Sequence, residues 1–293
     1  MKNLIYLLLT LPLLFASCSN DEVPMSEESV EVRLSAEFPV VKSSAQDLVV
    51  NKVFCAIYEN GTQVMRLEQP ITSAGNIQFL PRLVKGRTYD IAFWAMKDNN
   101  YDVTNMKCIT RATTGSANEA DYDAFTAQRR ITVLNPVSET VTLTRPLAQL
   151  NIGITDTEWA TLTNTFSQTP ATTTISYPDA KDAFDAVEGC AVAGSNAVVT
   201  RRANATGTIT VNGVEYKNLG MCYILLAEAE ETTIDLTYTV TDTNDSEIAS
   251  LNIPFVPVQR NYKTNIVGNL LTGTVSVQVT LNDFENQQHN ENI

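Results

Sequence analysis

Two carboxylates at the right separation can cleave a glycosidic bond, one as acid and one as base or nucleophile. This chain of 293 residues carries 33 Asp and Glu, yet spacing singles out no pair among them. Asp90, Glu119, Asp121, Asp123, Glu158 and Glu228 all read as solvated loop or strand-end residues. The single His, His289, lies in a polar tail, which leaves no imidazole cluster for a metal and no Ser/His or Cys/His relay. No Gly-rich phosphate loop, GxSxG elbow or CxxC pair occurs. The reading is therefore a non-enzyme with no cofactor and no metal. Flat aromatic faces could still stack on sugars. Trp94 sits in the apolar run Ile91–Met96 and suits a core, so Trp159 is the candidate glycan contact, with loop tyrosines such as Tyr101 and Tyr122 beside it.

A covalent chemistry is written at the start of the chain. After Met1-Lys2-Asn3, an apolar run from Leu4 to Phe15 is broken only by Thr10 and Pro12, then Ala16-Ser17-Cys18 follows. The run falls short of the roughly 20 residues a spanning helix needs and has the proportions of a secretory signal. Small residues directly before a Cys resemble the bacterial lipobox. That resemblance implies cleavage after residue 17, a diacylglyceryl thioether on Cys18 and a further acyl chain on its amine, enough chains for stable anchoring. Ordinary cleavage with Cys18 as a bystander is the alternative. Residues 18–29, acidic and polar with one Pro, make a flexible tether, and the pair Asp21-Glu22 resembles the surface-export signal of Bacteroidota lipoproteins. Cys55, Cys108, Cys190 and Cys222 remain, and four cysteines allow three pairings. Cys55 and Cys222 lie in apolar runs that suit buried free thiols equally well.

Charge and composition set the class. A net charge of −13 offers no basic footprint for phosphates, so nucleic acid is not an expected partner. Removing residues 1–17 takes away one Lys and no acid, which moves the charge to −14. With 44% hydrophobic residues and ten each of Tyr and Phe, the chain has the material for a packed core. Thirty-six Thr against nine Lys tilt it towards β structure.

The elements that would position these residues are strands. Val30, Val32, Leu34, Ala36 and Phe38 alternate with polar neighbours. Lys52–Glu59 is apolar on both faces and ends at Asn60-Gly61, a hairpin signal. Further strands are expected at Ile77–Leu80, Thr88–Met96, Met106–Thr110, Arg130–Leu134 and Glu139–Thr144, with Thr113–Gln128 a loop or short helix. Arg145-Pro146 breaks the pattern. A second series runs from Ala148–Ile154 to Thr274–Leu281, interrupted by a short helix over Glu158–Phe166 and a tight turn at Asn212-Gly213. Many short strands at this spacing indicate antiparallel sandwiches, here one over 30–145 and one over 146–293. The first strand and the last, Thr274–Leu281, are amphipathic and detachable in principle, as strands exchanged between subunits must be.

Three blocks together resemble a known family. The lipobox, Thr142-Leu-Thr-Arg-Pro-Leu-Ala-Gln-Leu-Asn-Ile152 and Arg260-Asn-Tyr-Lys-Thr-Asn-Ile-Val-Gly-Asn-Leu-Leu-Thr-Gly273 are similar to fimbrillin-like lipoproteins of Bacteroidota, the type V pilin superfamily. The resemblance implies an all-β protein of two tandem transthyretin-like sandwiches, lipid-anchored at the outer membrane and cell surface. Its implied partners are other fimbrial subunits or surface ligands. In that family an arginine-specific protease cuts the loop after the first strand, and a strand from the next subunit fills the groove that its loss opens. The connecting loop Pro39–Val50 holds Lys42 and no Arg, while Arg33 lies inside the first strand, so these two are the candidate processing sites. A surface glycan-binding lipoprotein that does not polymerise is the other reading.

Overall fold

The computed structural model describes residues 27–38, 50–71, 77–115, 118–178, 181–193, 198–272 and 276–284. Ten strands precede residue 145: β1 (Ser29–Glu37), β2 (Lys52–Glu59), β3 (Thr62–Pro70), β4 (Ile77–Phe79), β5 (Arg82–Val84), β6 (Thr88–Met96), β7 (Tyr101–Asp102), β8 (Ile109–Arg111), β9 (Ala124–Thr132) and β10 (Val137–Thr142). Six follow at once: β11 (Leu147–Ile154), β12 (Pro170–Pro178), β13 (Ala183–Asp185), β14 (Cys190–Val192), β15 (Val198–Asn204) and β16 (Thr208–Val211). The last five are β17 (Val214–Leu225), β18 (Thr232–Asp242), β19 (Glu247–Val258), β20 (Tyr262–Asn269) and β21 (Ser276–Asp283). Among the described residues, helix is confined to α1 (Asp156–Ala160), continued by one π-helical turn over Thr161–Thr165, and to a 3-10 turn over Glu119–Tyr122.

Each half packs two sheets face to face, an all-β sandwich architecture. In the first, β3-β2-β6-β9 faces β10-β1-β4, with β5 also on β1. In the second, β16-β17-β11-β20-β21 faces β15-β12-β18-β19. The hairpins β2–β3 and β16–β17 turn at Asn60-Gly61 and Asn212-Gly213. All four of these residues have positive φ, as a two-residue turn matching strand twist requires. The two halves follow one rule: the opening strand of each pairs in parallel with a late one, β1 with β10 and β11 with β20. The pairing of β11 with β20 brings the blocks 142–152 and 260–273 side by side, and buried Asn151 donates to Asn265 Oδ1 at 2.8 Å between them.

A fifth sheet, β14-β13-β8-β7, joins the halves, because β7 and β8 come from the first and β13 and β14 from the second. Its presence explains why β2 and β6 are apolar on both faces. Val53, Cys55, Ile57, Ile91, Phe93 and Ala95 fill the first sandwich. The alternate residues Phe54, Ala56, Tyr58, Ala92, Trp94 and Met96 face a third core shared with Leu147, Phe184, Tyr223 and Leu225. Trp94 is its centre, fully buried, with Tyr101 edge-on at 5.2 Å and Phe184 at 5.5 Å.

One expectation from the sequence is corrected here, and the position of the first strand, which the sequence left open, is seen. The stretch expected as loop or short helix holds the 3-10 turn over Glu119–Tyr122 but ends in strand β9 from Ala124, where Ala124–Ala127 is buried on both faces and so shows no period of two. The first strand is not an edge: all of Ser29–Glu37 is paired, to β10 on one side or to β4 and β5 on the other.

Polar side chains also weld the junction. Arg145 forms a two-pronged pair with buried Asp123 at 2.8 and 2.9 Å and lies between the Phe125 and Phe284 rings. Arg145→Ala strands the Asp123 carboxylate in the core and is expected to cost about 3–5 kcal/mol in urea unfolding. Arg130→Ala removes an exposed 3.5 Å pair with Asp90 and should cost less than about 1 kcal/mol.

Candidate functional site

Strand β1 presents alternate residues to opposite fates. Val32, Leu34 and Ala36 are buried in the first core beside Phe79, Leu83, Val133 and Leu143, while Glu31, Arg33 and Glu37 face solvent. Burying Val32 and Leu34 contributes on the order of 3–6 kcal/mol. Bonds beyond the ladders extend the hold on β1: Val32 N–H reaches Pro81 O at 2.9 Å in the gap between β4 and β5, and Leu143 N–H reaches Glu37 O at 2.8 Å. Charges clamp its beginning. Lys85 pairs with Glu28 at 3.2 Å, and Arg87 pairs with both Glu27 and Glu59. Withdrawal of β1 would therefore open a trough lined by apolar side chains and by unpaired amides and carbonyls on both walls.

The last strand stands differently. β21 pairs only with β20 and forms the outer edge of its sheet. The turn leading towards it is held by one carboxylate. Glu158, in α1, accepts the N–H groups of Leu270, Leu271 and Thr272 at 2.7–2.8 Å and the Thr272 hydroxyl at 3.0 Å. Thr155 caps that helix through its hydroxyl, which accepts the Glu158 N–H at 3.2 Å.

The residues singled out from sequence are scattered. Arg33 lies within β1, exposed, opposite Ser138. Cys18 and Lys42 lie outside the described residues. Trp159 is half-buried on α1, packs on the second core, and lines a cleft of about 270 Å³ with Ala205, Gly207, Thr208, Lys217 and Asn218. Tyr101 and Tyr122 are not loop contacts for a sugar. Both are buried, Tyr101 donates to Tyr122 O at 2.6 Å, and the Arg111 guanidinium lies 3.9 Å above the Tyr122 ring.

Three carboxylates expected in solvent are also corrected. Glu158 is 2% exposed and Asp123 is 2% exposed. Glu119 is held at 2.8 and 2.9 Å by Arg111, which in turn donates to Tyr223 O across the junction. Each is occupied by a structural partner, so no acid pair is poised for hydrolysis among them. The candidate groups that sequence reasoning missed are arginines: Arg111, Arg201 and Arg202 line one cleft. The adjacent pair Arg201-Arg202 was the available signal.

All four described cysteines are free, Cys55 and Cys222 buried, Cys190 half-buried and Cys108 exposed. Burial pushes the Cys222 thiol up to about 12 and raises Cys55 further, so neither forms thiolate near neutral pH. Among the described residues, no helix is long and apolar enough to cross a membrane.

These features define an all-β sandwich protein whose first strand is interior to its sheet, whose last strand is at an edge, and which has a cleft lined from both halves. By its sequence, the chain belongs to a family of unknown function, DUF6562, whose model matches residues 22–293. No curated protein matches it. Its fold is shared with solved structures from Bacteroides. A candidate polysaccharide-binding protein (DUF1812) of Bacteroides thetaiotaomicron is 12% identical with a TM-score of 0.53, over 86% of this chain and 96% of that one. A candidate adhesin of Bacteroides ovatus is 12% identical with a TM-score of 0.52, over 86% and 93%. A candidate adhesin of Bacteroides thetaiotaomicron is 11% identical with a TM-score of 0.51, over 88% and 97%. The all-β sandwich fold implied by the fimbrillin resemblance is the fold these proteins share.

Two outcomes test the geometry. Glu158→Ala is expected to speed amide exchange at Leu270–Thr272 by roughly tenfold or more, read by hydrogen–deuterium exchange with mass spectrometry. In a Cys18→Ser chain at pH 8, a thiol-specific disulfide reagent should titrate Cys108 at once and Cys190 slowly. Cys55 and Cys222 should react only after unfolding, as peptide mapping would show.

Proposed function

We propose that the chain works at the cell surface as a lipid-anchored subunit or accessory protein of a fimbria, mediating adhesion without catalysis. Its body is two sandwich domains, 30–145 and 146–293, tethered through residues 18–29 to lipid on Cys18 in the outer membrane. Assembly replaces β1 with a strand from a neighbouring subunit. The observation that carries this reading is the placement of β1: paired on both sides, buried on one face, and followed by a polar segment holding Lys42. A strand so placed, once removed, leaves a groove with a demand for exactly one replacement strand, which drives association through backbone pairing and core filling. Lys42, in the connecting segment, is the preferred cut, since Arg33 sits within a paired ladder that a protease must first open.

Limited trypsin digestion of the mature chain tests this. The expected result is cleavage after Lys42, loss of the peptide containing β1, and a ladder of multimers on a denaturing gel run without boiling. Monomers that keep β1 bound after cleavage would overturn strand exchange.

A second reading has its own observation. Trp159 and the polar residues of its cleft suit a sugar, and one fold neighbour is described as a candidate polysaccharide-binding protein. On this reading the chain is a surface glycan-binding lipoprotein. Saturable signals on a glycan array, lost in Trp159→Ala, are the expected result.

A further inference from the structure

The Trp159 cleft does not end where its own walls do. It shares Asn218 with a second cleft of about 380 Å³, which also borders Asn118, Asn204 and Thr206. That cleft shares Glu119 and Asn204 with a third, of about 480 Å³, bordered by Arg111, Tyr122, Thr200, Arg201 and Arg202. The three clefts adjoin through these shared residues, with an aromatic side chain in the first and arginines in the third. The second carries side-chain amides and a hydroxyl, groups that both donate and accept towards vicinal hydroxyls.

The third cleft is unusual in a chain of net charge −13. Three arginines stand there against one carboxylate, Glu119, which Arg111 already occupies. Arg202 pairs with Asp245 at 2.7 Å in full solvent, a weak and exchangeable contact. Among the described residues, Arg201 has no carboxylate partner. Its Nη1 donates only to Thr200 O at 3.2 Å, and its Nε is buried with no partner at all. A guanidinium that borders a cleft without a carboxylate partner can take a planar or tetrahedral oxyanion on its outer N–H groups.

We propose that these adjoining clefts bind an acidic oligosaccharide, with its carboxylate or sulfate group on Arg201 and Arg202 and a sugar ring against Trp159. The inference rests on the glycan-binding reading above and adds the ligand class and the residues that select it. Three adjoining clefts fit a chain of sugars better than a single small anion. The amide-rich second cleft fits hydroxyl groups better than an acidic peptide.

Isothermal titration of the mature Cys18→Ser chain with four probes decides the matter: oligogalacturonate, heparin oligosaccharide, neutral xylo-oligosaccharide and polyglutamate. Oligogalacturonate, heparin or both are expected to bind, at least about tenfold more tightly than the neutral probe and polyglutamate, and more weakly as salt rises. The better of the two acidic probes names the anion. Arg201→Gln should weaken that binding about tenfold or more and Arg202→Gln severalfold, each with an unchanged melting temperature. Should Arg201→Gln fail to fold, Arg202→Gln, whose side chain is 63% exposed, carries the test. Neutral binding equal to acidic binding, lost in Trp159→Ala but kept in both arginine variants, would overturn the acidic assignment and leave the glycan reading standing. Polyglutamate binding as tightly as the sugars would mark an acidic-peptide site instead. Failure of all four probes would remove both the inference and the reading beneath it.

Discussion

Strands β2 and β6 bury both of their faces, and the remainder of the molecule is arranged to make that burial possible. One face completes the first sandwich through Cys55, Ile57, Ile91 and Phe93, and the other carries Phe54, Ala92, Trp94 and Met96. A sheet that is dry on both sides needs two covering layers. The first is the sheet containing β1. The second is the bridging sheet, in which β8 pairs with β13 through Ala183 to Thr110 and Phe184 to Ile109. Two halves that might have hung as beads are thereby joined through a common core, and the surface cleft between them takes its shape from that weld.

The polar groups at the weld follow from the same constraint. A buried carboxylate is costly unless paired and hydrogen-bonded. Asp123 meets this demand through Arg145 and Glu119 through Arg111. Arg260 meets the complementary demand by donating to the carbonyls of Gly189 and Leu226, over the Phe184 ring. Arg201 departs from the pattern, with a buried Nε left unsatisfied at the rim of the cleft.

The two terminal strands illustrate how position, rather than composition, sets availability. Both alternate apolar and polar residues, yet β1 is enclosed on both sides and β21 on one. Their tethers differ too. Salt bridges and backbone bonds to Arg82–Arg87 hold the start of β1, whereas a single carboxylate, Glu158, secures the turn before β21. Removal of β1 breaches a core; displacement of β21 would uncover one edge.

Much of the fold was legible in the sequence because period-two alternation and Asn-Gly turns are local. Strand β2 and strand β6 were read with their observed boundaries, and both Asn-Gly turns fell between paired strands. Thr62–Pro70, exposed along much of its length, was not read as a strand, and of the bridging sheet only β8 was approached, by the strand expected at Met106–Thr110, since two or three residues carry no measurable period. Carboxylates were misjudged for a related reason: a buried Asp123 looks like any other Asp until its arginine arrives from 22 residues away. The sequence by itself determined the strand-rich class, the two-sided dryness of β2 and β6, the acidic surface and the blocks that bear the family likeness, because each depends on neighbours along the chain. Tertiary structure alone decided that β1 is interior, that the halves share a core, and that Arg111 and Arg201 border one cleft. Those facts depend on contacts between residues far apart in the chain, which no local pattern records.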